Sequence, residues 1–322
     1  MENQTTLYIL VLSGLSDLSS LQLPLFLVFL LVYLMTMTGN ILIVLLIYTD
    51  SHLQTPMYFF LGTLACLDMG YSTVTTPRML FDFHAQKKLI SIQACITQIY
   101  LFLFFATSEL SLLAVMSYDR YVAICRPLHY TQIMHWKACV LLVLGVLMVS
   151  VVYPLVHVLL LLRLRFCRLT PLESFFCDLP HLLLVSCSDT TINVLLILIL
   201  AILLGGCIFA LTFCPYIIIL NTIMKMQSKA MRSKAFSTCS SHLTVVFIFY
   251  GTVFFSYFHP NAKDNSAVDK VASVIYTVLT PLVNPLIYSL RNETMKISLK
   301  RSLCRFIESH KRVCTPCSFF VG

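Results

Sequence analysis

Seven long apolar stretches divide the sequence, and polar residues gather between them: Leu21–Tyr48, Met57–Leu80, Leu89–Tyr118, Ala138–Leu162, Thr190–Met224, Ala235–Ala262 and Val271–Leu290. A helix crossing the hydrocarbon core of a bilayer needs about 20 mostly apolar residues, and each stretch meets or nearly meets that length. A spanning β-barrel would instead show runs of about ten residues with alternating polarity. The pattern predicts an all-α membrane protein, a seven-transmembrane helix bundle over residues 21–290. The whole chain, 1–322, reads as a single domain, with an N-terminal segment at 1–20 and a tail at 291–322. In the tail, Lys296, Lys300, Arg301 and Arg305 interleave with Leu299, Leu303 and Phe306. That pattern predicts a short amphipathic helix on the membrane surface after helix seven.

Composition supports the class: 58% of residues are hydrophobic and only 11% charged, against about a quarter charged in soluble domains. Charge sets the orientation. With the N-terminus outside, 14 of the 22 Lys and Arg residues fall on the inner side, and the outer side is neutral. A basic inner face suits anionic membrane lipid, so the net charge of +8 does not point to nucleic acid. Glu2 and Asp17 stand where a cleavable signal would be basic, so helix one is expected to act as its own insertion signal. Asn3-Gln4-Thr5 is a glycosylation sequon expected to face outward, whereas Asn292-Glu293-Thr294 should face inward and stay bare.

Polar residues inside the apolar stretches are the candidates for chemistry, since each needs a partner in lipid. Asn40, Asp68 and Glu109 fall in helices one, two and three. Glu109 and Arg120 are eleven residues apart, about three turns, and share a face with Phe102. Helix seven carries a polar stripe, Ser273, Thr277, Thr280, Asn284 and Tyr288, expected to face the three polar residues at the bundle centre. Such a centre is either static polar glue or a hydrated, ion-binding switch. Asp119-Arg120 ends helix three at the membrane boundary, where it serves either as an anchor or as a switch. His157 is a further candidate for a ligand contact, and the pair Gly205-Gly206 for close approach of another helix or a ligand. On helix six, Tyr250 and Tyr257 share a face with Val253 and Phe254.

Cys95, Cys167, Cys177 and Cys187 fall on the outer, oxidising side, and four cysteines admit three pairings. Cys66, Cys125, Cys139, Cys207, Cys214 and Cys239 are expected to be small packing residues. Cys304, Cys314 and Cys317 lie in the basic tail without a second ligand pair, so acylation is the better expectation than zinc. No nucleophile elbow or metal-ligand set accompanies Asp68 and Glu109, and no internal repeat supports a transporter. No enzymatic activity is therefore expected.

Five blocks carry a family resemblance. They are Pro56-Met57-Tyr58-Phe59-Phe60-Leu61, Met116 to Cys125, Phe175-Phe176-Cys177-Asp178 with Cys187-Ser188-Asp189-Thr190, Lys234 to Leu243, and Pro281 to Asn292. In their order and placement they closely resemble the olfactory receptors, rhodopsin-like G-protein-coupled receptors. The departures are Ser174, His181, Val283 and the basic Arg163-Leu164-Arg165. The resemblance implies a multi-pass plasma-membrane odorant receptor, with disulfides Cys95–Cys177 and Cys167–Cys187 and the second outer loop as a lid. It implies a small, mostly hydrophobic odorant bound by Phe102, Leu103, Ala106, Thr107, Val253, Phe254, Tyr257, Ser273 and Thr277. It also implies a switch of Asp119, Arg120, Tyr216 and Tyr288 that engages the stimulatory olfactory G protein and raises cyclic AMP. No cofactor is expected; a sodium ion near Asp68 and Glu109 and protonated acids are the two alternatives at the polar core.

Overall fold

A computed structural model describes residues 9–15, 18–166, 172, 174–258, 266–291, 294–302 and 304. The side chains of Ser19, Lys234, Ser237, Thr238 and Ser241, and those of 252–258, 266–269 and 288–291, are not among those described.

Helices dominate. α1 is Ser19–Thr49, α2 Pro56–Asp82, α3 Ile92–Cys125 and α4 Trp136–Leu161. α5 covers residues 191–225 and is interrupted by a π-helical turn at Ala201–Gly205. α6 is Lys229–Phe258, and α7 covers 266–291 with a second π turn at Ile275–Leu279. Residues 294–302 form α8. Length and apolar composition suffice for membrane crossing in α1, α3, α4, α5 and the 270–287 part of α7. α2 carries Asp68, Arg78 and Asp82, and α6 opens with Lys229, Arg232 and Lys234 before a described apolar segment at His242–Gly251. The flanks of α4 and α5 expose Leu141, Met148, Val152, Ile202 and Leu203, a contiguous apolar belt that water would not tolerate and lipid covers.

The helix boundaries follow local chemistry. Pro56 sits in the first turn of α2, where its missing N–H is not needed. Ser91 caps α3 by accepting from the Ala94 N–H at 3.2 Å. α3 thus begins after Leu89, because residues 89–91 are a strand, and it continues past Tyr118 to Cys125. The π turn of α7 lies just before Thr280-Pro281. Proline cannot donate to the carbonyl four residues back and crowds it, and the widened turn relieves that clash. The Thr280 hydroxyl donates to the Ile275 carbonyl at 3.2 Å across that turn.

One end of the bundle is capped. β1, Ile9–Val11, pairs antiparallel with β2, Leu89–Ser91, in the register Leu10 opposite Ile90. Leu172 joins the edge, donating to the Val11 carbonyl at 2.7 Å and accepting from the Ser13 N–H at 2.9 Å. Gly14, with φ +72°, turns the chain away where Lys88 crosses to donate to the Ser13 carbonyl at 2.9 Å. The N-terminal segment is therefore not a simple lead into helix one; Leu10 and Leu12 are buried in the capped-end core with Ile99, Phe102, Phe175 and Phe176. A second core fills the opposite, tail end, around Leu64, Leu112, Met116, Val245 and Val246.

Two expectations about small residues are corrected. A Cβ at Gly205 or Gly206 would meet nothing within 4 Å, so the pair brings no helix close and instead lies beside the π turn of α5. Cys66, Cys207 and Cys214 are exposed on the outer flanks rather than packed inside, whereas Cys139 and Cys239 are buried.

Candidate functional site

Three sites line the axis of the bundle. At the capped end, α3 presents Phe102, Leu103 and Thr107 inward, all buried, with Ala106 partly so. The Phe102 ring lies 5.3 Å from Tyr71 of α2, 5.3 Å from Phe176 of the capping loop and 5.9 Å from Tyr276 of α7. On α7, Thr277 is fully buried and donates to the Ser273 carbonyl at 2.6 Å, while Ser273 is partly buried. Val253, Phe254 and Tyr257 of α6 lie outside the described side chains. Tyr250, one turn below, shares a hydrogen bond with Thr212 of α5 at 3.2 Å.

The loop over this cluster is tied down twice. Cys95 at the start of α3 is disulfide-bonded to Cys177. Gln98, one turn on, accepts from the Cys177 N–H at 2.9 Å and donates to the Val74 carbonyl of α2 at 3.0 Å. Asp178 caps the short helix Leu179–Leu184, and burial pushes its carboxyl above the usual range. Cys187 is also disulfide-bonded, while its expected partner Cys167 lies outside the described residues, as do Asn3, Cys314 and Cys317. His157 is buried on α4, stacked edge-on against Tyr153 at 4.8 Å, with no partner for its Nε2.

At mid-bundle Asn40, Asp68, Glu109 and Asn284 are all at most 3% exposed, and Asp68 stands between Asn284 and Glu109 as a neighbour of both. Pro285 has no N–H for the Pro281 carbonyl, and Asn40 supplies the missing donor from α1 at 3.2 Å. Asn284 donates to both oxygens of Asp68, at 2.9 and 3.2 Å. Asp68 and Glu109 stand close enough to interact. Among the described residues Glu109 has Asp68 as its hydrogen-bonding neighbour, while Oδ1 of Asn40 and Oγ of Ser72 have no partner. Buried polar atoms left without a partner are costly.

At the tail end Arg120 is bidentate on Asp119: its Nε donates to Oδ2 at 3.0 Å, and its Nη2 contacts the same oxygen. Asp119 is fully buried, and its other oxygen accepts from the Tyr130 hydroxyl at 2.8 Å. Burial raises the Tyr130 phenol above its ordinary value, which keeps the hydroxyl protonated as a donor. Beside this pair, Tyr216 of α5 hydrogen-bonds Nδ1 of His242 of α6 with their rings stacked. Tyr288 lies outside the described side chains. Tyr130, His242, Tyr71, Gln98, Phe176 and Tyr276 join these sites without having been predicted for them. His242 and Phe176 lie within blocks already singled out; nothing in the local pattern marks the others.

The family model described as Olfactory receptor matches residues 29–306. The chain belongs to the olfactory receptor family. Human Olfactory receptor 8G1 is 46% identical over 305 residues, covering 94% of this chain and 98% of that protein. Human Olfactory receptor 5B12 is 45% identical over 303 residues, covering 94% and 96%. Mouse Olfactory receptor 8G17 is 46% identical over 302 residues, covering 94% and 98%. As an olfactory receptor this chain is a multi-pass membrane protein and not an enzyme, so Asp68 and Glu109 are not a catalytic acid pair.

Proposed function

We propose that the chain is an odorant receptor of one seven-transmembrane domain, α1–α7 all crossing the plasma membrane, with the capped end outside. It binds a small, mostly hydrophobic odorant within the bundle and activates a stimulatory heterotrimeric G protein, raising cyclic AMP. The observation that carries this reading is the stacking of three sites on α3: an aromatic, nearly dry cluster at Phe102, a polar chamber at Glu109, and a caged arginine at Arg120. An apolar wall with few polar groups suits small hydrophobic ligands. Phe102, Leu103, Ala106, Thr107, Val253, Phe254, Tyr257, Ser273 and Thr277 form the wall in this reading. Odorant binding favours a state in which α6 swings outward, the Tyr216–His242 contact breaks and Arg120 leaves Asp119 for the G protein. A ligand drives this only through tighter binding to the active state.

The mid-bundle chamber holds sodium in this reading. Its open groups are hard oxygen acceptors, carboxylate, amide carbonyl and hydroxyl, which fit that cation. Asp68 and Glu109 would hold the ion, which would supply positive charge to this buried acid pair. Asn284 and Asn40 fix α7 against α2 and α1 around it. α8 lies on the inner membrane surface, docked through Arg301 to Asp50 at 3.4 Å, and a glycan is carried at Asn3.

An odorant that activates the surface-expressed wild type tests the binding site. Phe102→Ala and Thr277→Val should each lower its potency at least about tenfold, the loss of one good contact. Arg78→Ala, at the α2 flank, should leave it unchanged. Equal potency in all three variants would remove the pocket from this place.

A further inference from the structure

Among the described side chains, the seat proposed for the ligand is filled. Phe176 of the capping loop is 1% exposed, with its ring against Phe102 at 5.3 Å, Phe175 at 5.0 Å and Tyr276 at 6.3 Å. Neither described cavity is lined by Phe102, Leu103, Ala106, Thr107, Ser273 or Thr277; one lies on the α2–α3 flank and the other between α1, α7 and α8. We infer that Phe176 is a tethered occupant of the ligand seat, which the apolar group of an odorant displaces on binding. The inference rests on the receptor reading above and adds a specificity-determining residue to it.

The backbone at Phe176 is held by its neighbours, whereas its ring is held by packing alone. The next residue, Cys177, is held by the disulfide to Cys95 and by Gln98. The Phe176 N–H reaches the Ser174 hydroxyl at 3.4 Å. The lid therefore stays in place, and the ring leaves only by rotating about its own side-chain bonds. On the opposite wall, Tyr276 sits on the π turn Ile275–Leu279, a segment whose looser hydrogen bonding lets a side chain be re-aimed. The rings of Tyr71 and Tyr276 border the seat. The vacated space is the size of one benzene ring between aromatic walls. That fits the neutral, apolar part of a ligand: a single ring or a branched group of similar bulk. A two-ring ligand would require Phe175 to move as well.

Toluene is the probe, and the readout is the melting temperature of the purified full-length receptor, which needs neither odorant nor G protein. A cavity left by a buried apolar side chain stays dry and takes up a benzene-sized molecule. Phe176→Ala should melt below wild type, and saturating toluene should restore most of the loss while leaving wild type unmoved. Refilling the space with Phe102→Trp in the Phe176→Ala background should abolish the toluene effect. If Phe176→Ala does not fold, Phe176→Leu carries the same criterion with a smaller loss. In cells, an odorant that activates wild type should be several-fold more potent on Phe176→Leu, because there is less to displace. Failure of toluene to stabilise the variant more than wild type overturns the proposal. So does lowered odorant potency on Phe176→Leu, which would make the ring an ordinary wall contact. A toluene effect with no cyclic AMP response to any odorant would instead count against the receptor reading.

Discussion

Removing one hydroxyl at the tail end should switch the receptor on. Tyr130 donates to Oδ1 of Asp119 at 2.8 Å, the oxygen that Arg120 does not use. Asp119 is fully buried, so this donor cannot be replaced by water without opening the site. A hydrogen bond to a charged group contributes about 1.5–3 kcal/mol. Tyr130→Phe keeps the ring and deletes only that bond. If Asp119 holds Arg120 in the resting state alone, the whole loss falls on that state. The active-to-resting ratio then rises roughly 10- to 150-fold. The assay is ligand-independent cyclic AMP in cells, normalised to surface receptor. A resting ratio near 1% would become a clear basal signal, and Asp119→Asn should raise it further, with the double variant less than additive because both act on one carboxylate. Basal activity in Tyr130→Phe equal to wild type at equal surface expression would refute the caging of Arg120.

Other residues give sharper tests of stability. Asn40→Ala leaves the Pro281 carbonyl without a donor in the membrane, so the purified receptor should lose about 1–3 kcal/mol, seen as a lower melting temperature. Gln98→Ala removes the acceptor of the Cys177 N–H; hydrogen exchange at 175–178 should quicken about tenfold or more while the Cys95–Cys177 disulfide stays intact. Asp50 is held well below the usual carboxylate range, first by the Ser298 hydroxyl and then by the His52 backbone and ring, with Arg301 adding to it. A lowered folded value means the Asp50–α8 clasp is fully formed above the ordinary carboxylate value of about 4 and lost only as pH falls through the lower folded one. A spin label on Cys304 should therefore report α8 unchanged between pH 7 and pH 5; release at pH 5 would contradict the clasp. Glu109→Gln should abolish any effect of sodium on agonist potency, and a sodium effect that persists would move the ion elsewhere.

The long helices were legible because lipid imposes a simple rule: backbone groups must pair within the helix and side chains must be apolar. The polar residues within the apolar stretches were legible as exceptions for the same reason; in the fold Asn284 donates to Asp68, and Asn40 donates to the Pro281 carbonyl. What could not be read depends on contacts between distant segments. β1 is three residues that become a strand only because β2 offers an edge. The π turn of α7 follows from Pro281, but its aim at Tyr276 follows from packing. Tyr130 opens a short separate helix, Tyr130–Ile133, eleven residues beyond Asp119, and no periodicity connects them. Gly205-Gly206 suggested close packing, yet no neighbour lies within 4 Å of where a Cβ would stand, and Gly205 closes the π turn of α5.

The central claim is that an odorant acts by freeing Arg120 for a stimulatory G protein. Its most direct test is cyclic AMP in cells carrying the olfactory G protein, with an odorant panel applied to wild type and to Arg120→Ala at matched surface expression. The account predicts a dose-dependent rise in wild type and silence in the variant. A rise that survives Arg120→Ala would contradict it.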